Sequence, residues 1–336
     1  MYDTIDVIND WWGEHMSKPI IYITRNMPEH LLTKYKDHLQ FNMWESDSTP
    51  VPMDVLHEET KKADGLLCLL TETIDRSFIE AQTHLKIIAN MAVGYDNIDV
   101  QAANDHNIIV TNTPDVLTET TADLAFTLLM ATARRITEAS RYIYEDQWGD
   151  WSPFMLAGTD IYNKTIGIVG MGRIGQAVAR RAKGFNMELL YHNRSRNEEA
   201  EADIGATYVS FNELLEQSDY VVSVVPLTEE TEDLFDEYAF QKMKRSGIFI
   251  NISRGGVVDE RALYDALKNR VIRAAGLDVF KNEPIDSTHP FTTLENVVLL
   301  PHIGSATIET RENMFTLCLD NILNVFQGKE PLTPVK

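Results

Sequence analysis

The sequence predicts an α/β protein built from two doubly wound parallel-sheet domains, and three observations carry that reading. Its 336 residues exceed one ordinary domain of about 150 residues. Short apolar runs alternate along the whole chain with helical patterns of roughly ten or more residues, too long for hairpins, so the strands must pair in parallel. One such run is followed at once by Gly170-Met171-Gly172-Arg173-Ile174-Gly175, a turn that joins a strand to a helix.

Taken in order, Met1 to Glu14 carries Asp3, Asp6, Asp10 and Glu14 with no Lys or Arg, the opposite of a secretory leader. The core pattern begins at Pro19, so residues 1–17 are expected to form a disordered extension. Strands are predicted at Ile20–Thr24, Gly65–Leu69, Lys86–Asn90 and Ile108–Thr111, with amphipathic helices at Pro28–His38, Pro52–Lys62 and Ile98–Asn104. Thr118 to Ile143 reads as one long helix without internal Gly or Pro. It would link domains, meet a partner subunit or pack within its own domain. Six further strands follow: Thr165–Val169, Glu188–Tyr191, Tyr220–Val225, Gly247–Ile252, Ala274–Asp278 and Asn296–Leu299. Six is the number expected of a complete dinucleotide-binding sheet. A last helix, Ser305 to Phe326, closes at Gly328 and is expected to cross back onto the four-stranded first domain.

Composition narrows the function. Lys plus Arg is 30 against 51 Asp plus Glu, a net charge of −21. That balance disfavours nucleic acid and anionic membranes, which need a basic face. No apolar run approaches the ~20 residues of a spanning helix. Cys68 and Cys318 sit in apolar runs and read as packed core rather than reactive thiols. No disulfide framework or zinc spacing is present, and a cytoplasmic location is expected.

The glycine loop has a physical rationale. Gly170 permits the tight turn, Gly172 lets the backbone approach a pyrophosphate, and Gly175 allows close helix–strand packing, while N–H groups at the helix start bind the anion. The loop residues Met171, Arg173 and Ile174 belong to the same cofactor site. About twenty residues on, an NAD site presents a carboxylate to the ribose. Here the chain reads Tyr191-His192-Asn193-Arg194-Ser195-Arg196. With no carboxylate to repel a 2′-phosphate, and with Arg194, Arg196 and Ser195 able to bind it, NADP(H) is the expected cofactor, NAD(H) remaining usable.

Three segments near strand ends carry candidate chemistry: Ile252-Ser253-Arg254-Gly255-Gly256, Asn282-Glu283-Pro284, and Leu300-Pro301-His302-Ile303-Gly304-Ser305-Ala306-Thr307. They offer an imidazole, a carboxylate and a guanidinium, groups that can move a proton or grip an anion. Taken singly, each has a bland reading: His302 as a structural histidine, Glu283 as a turn residue, Arg254 as a phosphate contact. His289, before Pro290, is the competing histidine and reads as loop packing.

With Val93-Gly94-Tyr95-Asp96-Asn97-Ile98-Asp99, Val225-Pro226-Leu227-Thr228 with Thr231, Asn251 to Asp259, and Gly276-Leu277-Asp278-Val279-Phe280, the chain from residue 19 to 330 resembles the D-isomer-specific 2-hydroxyacid dehydrogenases. Within that family it looks most like the glyoxylate/hydroxypyruvate and 2-ketogluconate reductases. The resemblance implies a flavodoxin-like substrate domain of residues 18–114 and 303–336, a Rossmann NADP-binding domain of residues 115–302 inserted in it, and an active site in the cleft.

By the same resemblance His302 is the acid–base, Glu283 its partner and Arg254 the substrate-binding cation. Val93 and Gly94 offer backbone N–H groups to the carboxylate. Thr121, Val225, Pro226, Thr231, Ile252, Ser253, Asp278, Gly304 and Ser305 would lie along the cofactor, with Arg254 and His302 beside it. Relatives acting on formate place an amide where Glu283 stands, which disfavours that reaction. The family also implies a small 2-oxoacid or 2-hydroxyacid substrate and a homodimer through residues 118–143. Two alternatives share the fold: a corepressor-like protein-binding module, and a dehydrogenase for bulkier 2-oxoacids.

Overall fold

The structure is a computed structural model and describes residues 17–335. The expectation that residues 1–17 extend outside the fold therefore concerns, apart from Ser17, a segment outside the described residues. Of the described chain, residues up to Leu117 and from Thr307 onward form one compact unit, and Thr118–Ala306 the other.

The first unit runs β1 (Ile20–Ile23), α1 (Glu29–Leu32), β2 (Gln40–Met43), α2 (Met53–Thr60), β3 (Gly65–Cys68), α3 (Arg76–Ala81), β4 (Ile87–Asn90), α4 (Val100–Asp105) and β5 (Ile109–Thr111). The strands are all parallel, in the order β2-β1-β3-β4-β5. Every residue of β3 and β4 is buried, as strands covered on both faces must be. The sheet has five strands rather than four. The missed one, β2, is an edge strand whose Gln-Phe-Asn-Met pattern is half exposed and lacks the continuous apolar run of its neighbours.

The second unit runs α5 (Thr118–Ala133), α6 (Ile136–Tyr144), β6 (Thr165–Val169), α7 (Arg173–Lys183), β7 (Glu188–His192), α8 (Glu198–Ile204), β8 (Thr207–Tyr208), α9 (Phe211–Gln217), β9 (Tyr220–Ser223), α10 (Glu237–Lys242), β10 (Ile248–Asn251), α11 (Glu260–Lys268), β11 (Ala274–Leu277) and β12 (Val297–Leu299). Its parallel sheet has the order β12-β11-β10-β9-β6-β7-β8. The order reverses between β6 and β9, the switch point at which doubly wound sheets bind ligands. Seven strands stand where six were expected; the extra one, β8, is a two-residue edge pairing with β7, too short for any periodicity.

The helix predicted over Thr118–Ile143 is two helices. Arg135 takes a left-handed φ of 54° between α5 and α6. The Ala133 carbonyl, which a continuing helix would spend internally, instead accepts the Thr159 N–H at 2.9 Å. The break is made by a distant segment, so no local Gly or Pro announces it.

The last helix, α12 (Ile308–Phe326), starts at the Thr307 cap, three residues later than predicted, and belongs to the first unit. It buries Met314, Phe315, Cys318, Leu319, Ile322 and Phe326, one face at helical spacing. Tyr35 anchors it through a 2.6 Å bond to Asp320. Cys68 and Cys318 are buried free thiols, both pushed up by burial. Among the described residues no helix is long and apolar enough to cross a membrane.

Candidate active site

Three adjacent parallel strands of the second unit end in the candidate groups: β10 runs into Ser253 and Arg254, β11 into Asp278 and on to Glu283, β12 into His302. His302 Nδ1 lies 2.7 Å from Glu283 Oε2, and Glu283 Oε1 accepts the Phe280 N–H at 2.9 Å. Burial pushes the Glu283 carboxyl up; the bond to His302 and its charge, the Phe280 N–H and the Arg254 guanidinium outweigh it and hold the group below its ordinary value. An ionised carboxylate only accepts hydrogen bonds, so Nδ1 is the donor and Nε2 is left for chemistry.

Asp278 holds His302 from behind. Its carbonyl takes the His302 N–H at 2.9 Å and its Oδ1 takes the Ile303 N–H at 2.8 Å. His302 itself has φ 53°, the left-handed region that few non-glycine residues adopt and that clusters at functional sites. Asp278 is 1% exposed, and among the described residues its Oδ2 has no hydrogen-bond partner. Burial pushes its carboxyl above the ordinary value, against the Ile303 N–H and the charge of His302. Gly304 lies against that oxygen and Thr121: a Cβ there would stand 3.3 Å from Asp278 Oδ2 and 3.6 Å from Thr121 Cγ2. Ser305 follows, half-buried.

Arg254 is carried by a loop that no other residue at position 255 would permit. A Cβ on Gly255 would sit 1.8 Å from the Phe280 carbonyl carbon, so the Arg254 loop and the loop leading to Glu283 are in backbone contact. Asn251, 1% exposed, donates to the Arg254 carbonyl at 2.9 Å and accepts the Ser253 hydroxyl at 2.8 Å. Asn251 opened the family motif Asn251 to Asp259 without an assigned role. Its signal was a polar residue closing the apolar strand Ile248-Phe249-Ile250. Ile252 and Ser253, with Val225 and Pro226, follow the ends of the neighbouring strands β10 and β9. Thr231 is spent on its own loop, donating to the Pro226 carbonyl at 2.6 Å and accepting the Thr228 N–H at 2.8 Å.

The glycine loop fits a dinucleotide. Gly170 has φ +106°, and a Cβ on Gly175 would meet the Gly170 carbonyl oxygen at 2.0 Å. A Cβ on Gly172 would meet nothing within 4 Å, so the chain leaves open space where a pyrophosphate must approach. Gly172 caps α7 with no side-chain hydrogen bond, leaving the N–H groups at the start of that helix to an anion. Met171, Arg173 and Ile174 lie on this turn.

The segment after β7 differs from its sequence reading in detail. Asn193 turns inward and accepts the Met171 N–H at 2.7 Å, so its amide braces the glycine loop. Arg196 is held by Glu201 through two bonds of 2.7 and 2.6 Å. That pairing, helped by the Tyr191 hydroxyl, lowers Glu201 to about 2. Arg194 and Ser195 are exposed, and Arg194 is close enough to Glu230 to contribute, after the Thr228 hydroxyl, to lowering its carboxyl.

In the first unit, the loop after β4 is held by its carbonyls. Ala92 O accepts the Thr113 N–H at 2.9 Å, Val93 O the Asn112 amide at 2.8 Å, and Gly94 O the Asn90 amide at 2.9 Å. In trans peptides the N–H points opposite to the C=O, so the N–H groups of Val93, Gly94 and Tyr95 are directed away from those three donors. Successive N–H groups bind an anion where they converge. Asn90 and Asn112 were not foreseen from the sequence; Asn90, like Asn251, ends an apolar strand.

A family model described as D-isomer specific 2-hydroxyacid dehydrogenase, NAD binding domain, matches residues 126–304. A glyoxylate reductase of Korarchaeum cryptofilum is 50% identical over 315 residues, 94% of this chain and 95% of its own. A crystal structure of a Thermus thermophilus protein has a TM-score of 0.88 at 39% identity, covering 94% of this chain and all (100%) of that one. The NADPH-dependent glyoxylate/hydroxypyruvate reductase of Sinorhizobium meliloti, solved in complex with NADP and malonate, has a TM-score of 0.81 at 34% identity, covering 95% and 97%.

Proposed function

The chain belongs to the D-isomer specific 2-hydroxyacid dehydrogenases, and on that footing we propose that it reduces small 2-oxoacids, glyoxylate and hydroxypyruvate foremost and 2-ketogluconate among them, to D-2-hydroxy acids with NADPH preferred. The observation that carries the reading is the 2.7 Å His302–Glu283 pair beside Arg254, on adjacent strand ends of a nucleotide-binding sheet.

Residues 170–175 and the start of α7 would hold the pyrophosphate, Arg194 with Ser195 and Arg196 the 2′-phosphate, and the orphaned Asp278 Oδ2 the polar edge of the nicotinamide; Thr121, Asn193, Val225, Pro226, Thr231, Ile252, Ser253, Gly304 and Ser305 complete that site. When bound, the nicotinamide supplies hydride. Arg254 grips the α-carboxylate and polarises the neighbouring carbonyl. The Val93–Gly94 loop is a second carboxylate-binding element. His302 delivers the proton from Nε2 as charge develops on the carbonyl oxygen, and Glu283 holds the ring by Nδ1 so that Nε2 alone exchanges. Asp278 keeps the peptide of His302 in place throughout.

A homodimer is supported by α6 and the segment after it. None of the nine residues of α6 is buried. Ile143, Tyr144, Trp148, Trp151 and Phe154 are 58–86% exposed, an apolar surface that marks a contact site.

The test is a steady-state panel of glyoxylate, hydroxypyruvate and 2-ketogluconate with NADPH and NADH. Turnover of glyoxylate with NADPH in excess of NADH is expected, together with a loss of about 10²–10⁴ in His302→Ala. A His302→Ala variant keeping most of its kcat removes that residue from the role. An unchanged NADPH to NADH ratio in Arg194→Ala removes the cofactor preference.

A further inference from the structure

The strands that end in the candidate catalytic groups begin, at their opposite ends, in a second cluster of charge. Arg245 lies in the turn before β10, Arg270 and Arg273 between α11 and β11, and Arg135 between α5 and α6. All four line one cavity of about 380 Å³. The carboxylates lining it are Glu138 and Glu295, so the cavity is net positive in a chain of net charge −21. Arg135 is committed to Glu138 by a fork of 2.8 and 2.6 Å. Among the described residues, Arg245, Arg270 and Arg273 have no side-chain hydrogen bond or ion pair, despite the surplus of carboxylates available to them.

The backbone adds a second, independent observation. Ten described non-glycine residues have a left-handed φ, and six are Asn or Asp, the types that tolerate it. Two are arginines, Arg135 and Arg270, both at φ 54°, and both line this cavity. Arg has no local advantage in that conformation, so the residue type there is explained by its guanidinium and not by its backbone. Attraction to the carbonyl ends of α5 and α11 accounts for one charge after each helix. It leaves Arg245 and Arg273, which precede strands, without a role.

We propose that this cavity is a binding site for a small oxyanion-bearing metabolite, a phosphate ester or a polycarboxylate, separate from the dehydrogenase chemistry. Three arginines line the cavity with no partner of their own among the described residues, Arg270 and Arg273 from one segment and Arg245 from another, each offering a planar fork that matches phosphate or carboxylate oxygens. The volume is that of a small-molecule pocket. The site stands whether or not the substrate reading above is correct, since none of its residues belongs to that machinery.

The experiment is calorimetric titration of the full chain, saturated with NADP⁺ so that the pyrophosphate site is filled, with inorganic phosphate in one arm and citrate in the other. The parent is compared with the double variant Arg270→Asn, Arg273→Gln, in which Asn retains the left-handed backbone. Saturable binding to the parent, weakened at least tenfold in the variant, is expected; phosphate binding assigns phosphate esters, and citrate binding alone assigns polycarboxylates. Should the double variant fail to fold, Arg273→Gln alone is held to the same tenfold criterion. Absence of saturable binding, or equal binding by parent and variant, overturns the site. So does a parent that binds neither probe while the variant falls from dimer to monomer in size-exclusion chromatography, which assigns the arginines to a contact between copies.

Discussion

Replacing Glu283 with Gln is expected to lower kcat/KM for glyoxylate about 10- to 100-fold, and the reason lies in how the carboxylate is used. Both of its oxygens accept: Oε1 from the Phe280 N–H at 2.9 Å and Oε2 from His302 Nδ1 at 2.7 Å. An amide has one acceptor oxygen and one donor NH₂, so the Glu283→Gln side chain cannot accept from both the Phe280 N–H and a protonated Nδ1. With its oxygen on Phe280, its NH₂ faces Nδ1, which must then accept, and the proton is left on the wrong nitrogen. The loss is one hydrogen bond to a charged group, about 1.5–3 kcal/mol, at roughly 1.4 kcal/mol per decade of rate. Steady-state NADPH oxidation reads the rate, and quenching of protein fluorescence by NADPH reads cofactor affinity, which should stay within about twofold. A variant with less than a threefold loss, or one whose NADPH affinity falls as far as its rate, refutes this account of the pair.

Gly172→Ala should leave thermal stability unchanged, because its Cβ meets nothing within 4 Å, while cofactor KM rises tenfold or more; a normal cofactor KM would show that the space is not used by the pyrophosphate. Gly255→Ala forces a Cβ to within 1.8 Å of the Phe280 carbonyl carbon. Overpacking of that kind costs about 1–3 kcal/mol, so calorimetry should record a Tm lower by several degrees, with reduced kcat from displacement of Arg254. Glu201, lowered to about 2 from an ordinary 4.5 by Arg196 and Tyr191, contributes stability that is complete above pH 4.5 and lost as pH falls toward 2. The Tm difference between the parent and Glu201→Gln should accordingly shrink between pH 6 and pH 3, and a constant difference would contradict it.

What could be read from the sequence was what local chemistry dictates. The strand–glycine–helix junction at 165–183 and the buried central strands carry their own signals, because burial on both faces demands unbroken apolar runs. The His302, Glu283 and Arg254 segments were recognisable from residue type, order and family resemblance, each just past an apolar strand. What escaped depends on residues far apart in the chain. The break at Arg135 is made by Thr159; the bracing role of Asn193 needs Met171, and the capture of Arg196 needs Glu201 on the next helix. β2 and β8 escaped for another reason: edge strands bury only part of their surface, and their composition need not betray them. Asn90 and Asn251 were legible in principle, as polar residues ending apolar strands.

The return of the chain's last segment to the first sheet has a consequence for biogenesis. α12 covers β4, Asn321 binds the backbone of Leu332 and Thr333, and Val335 donates to the Val110 carbonyl of β5. A ribosome making the protein therefore emits Thr118–Ala306, a contiguous unit able to complete itself, before it emits the segment that finishes the earlier one. At about 5–20 residues per second the incomplete first sheet waits on the order of 10–40 s, with the apolar face that α12 will cover open to chaperones or to neighbouring nascent chains. Premature termination anywhere after the second unit would thus leave a nucleotide-binding half intact and its N-terminal companion unfinished.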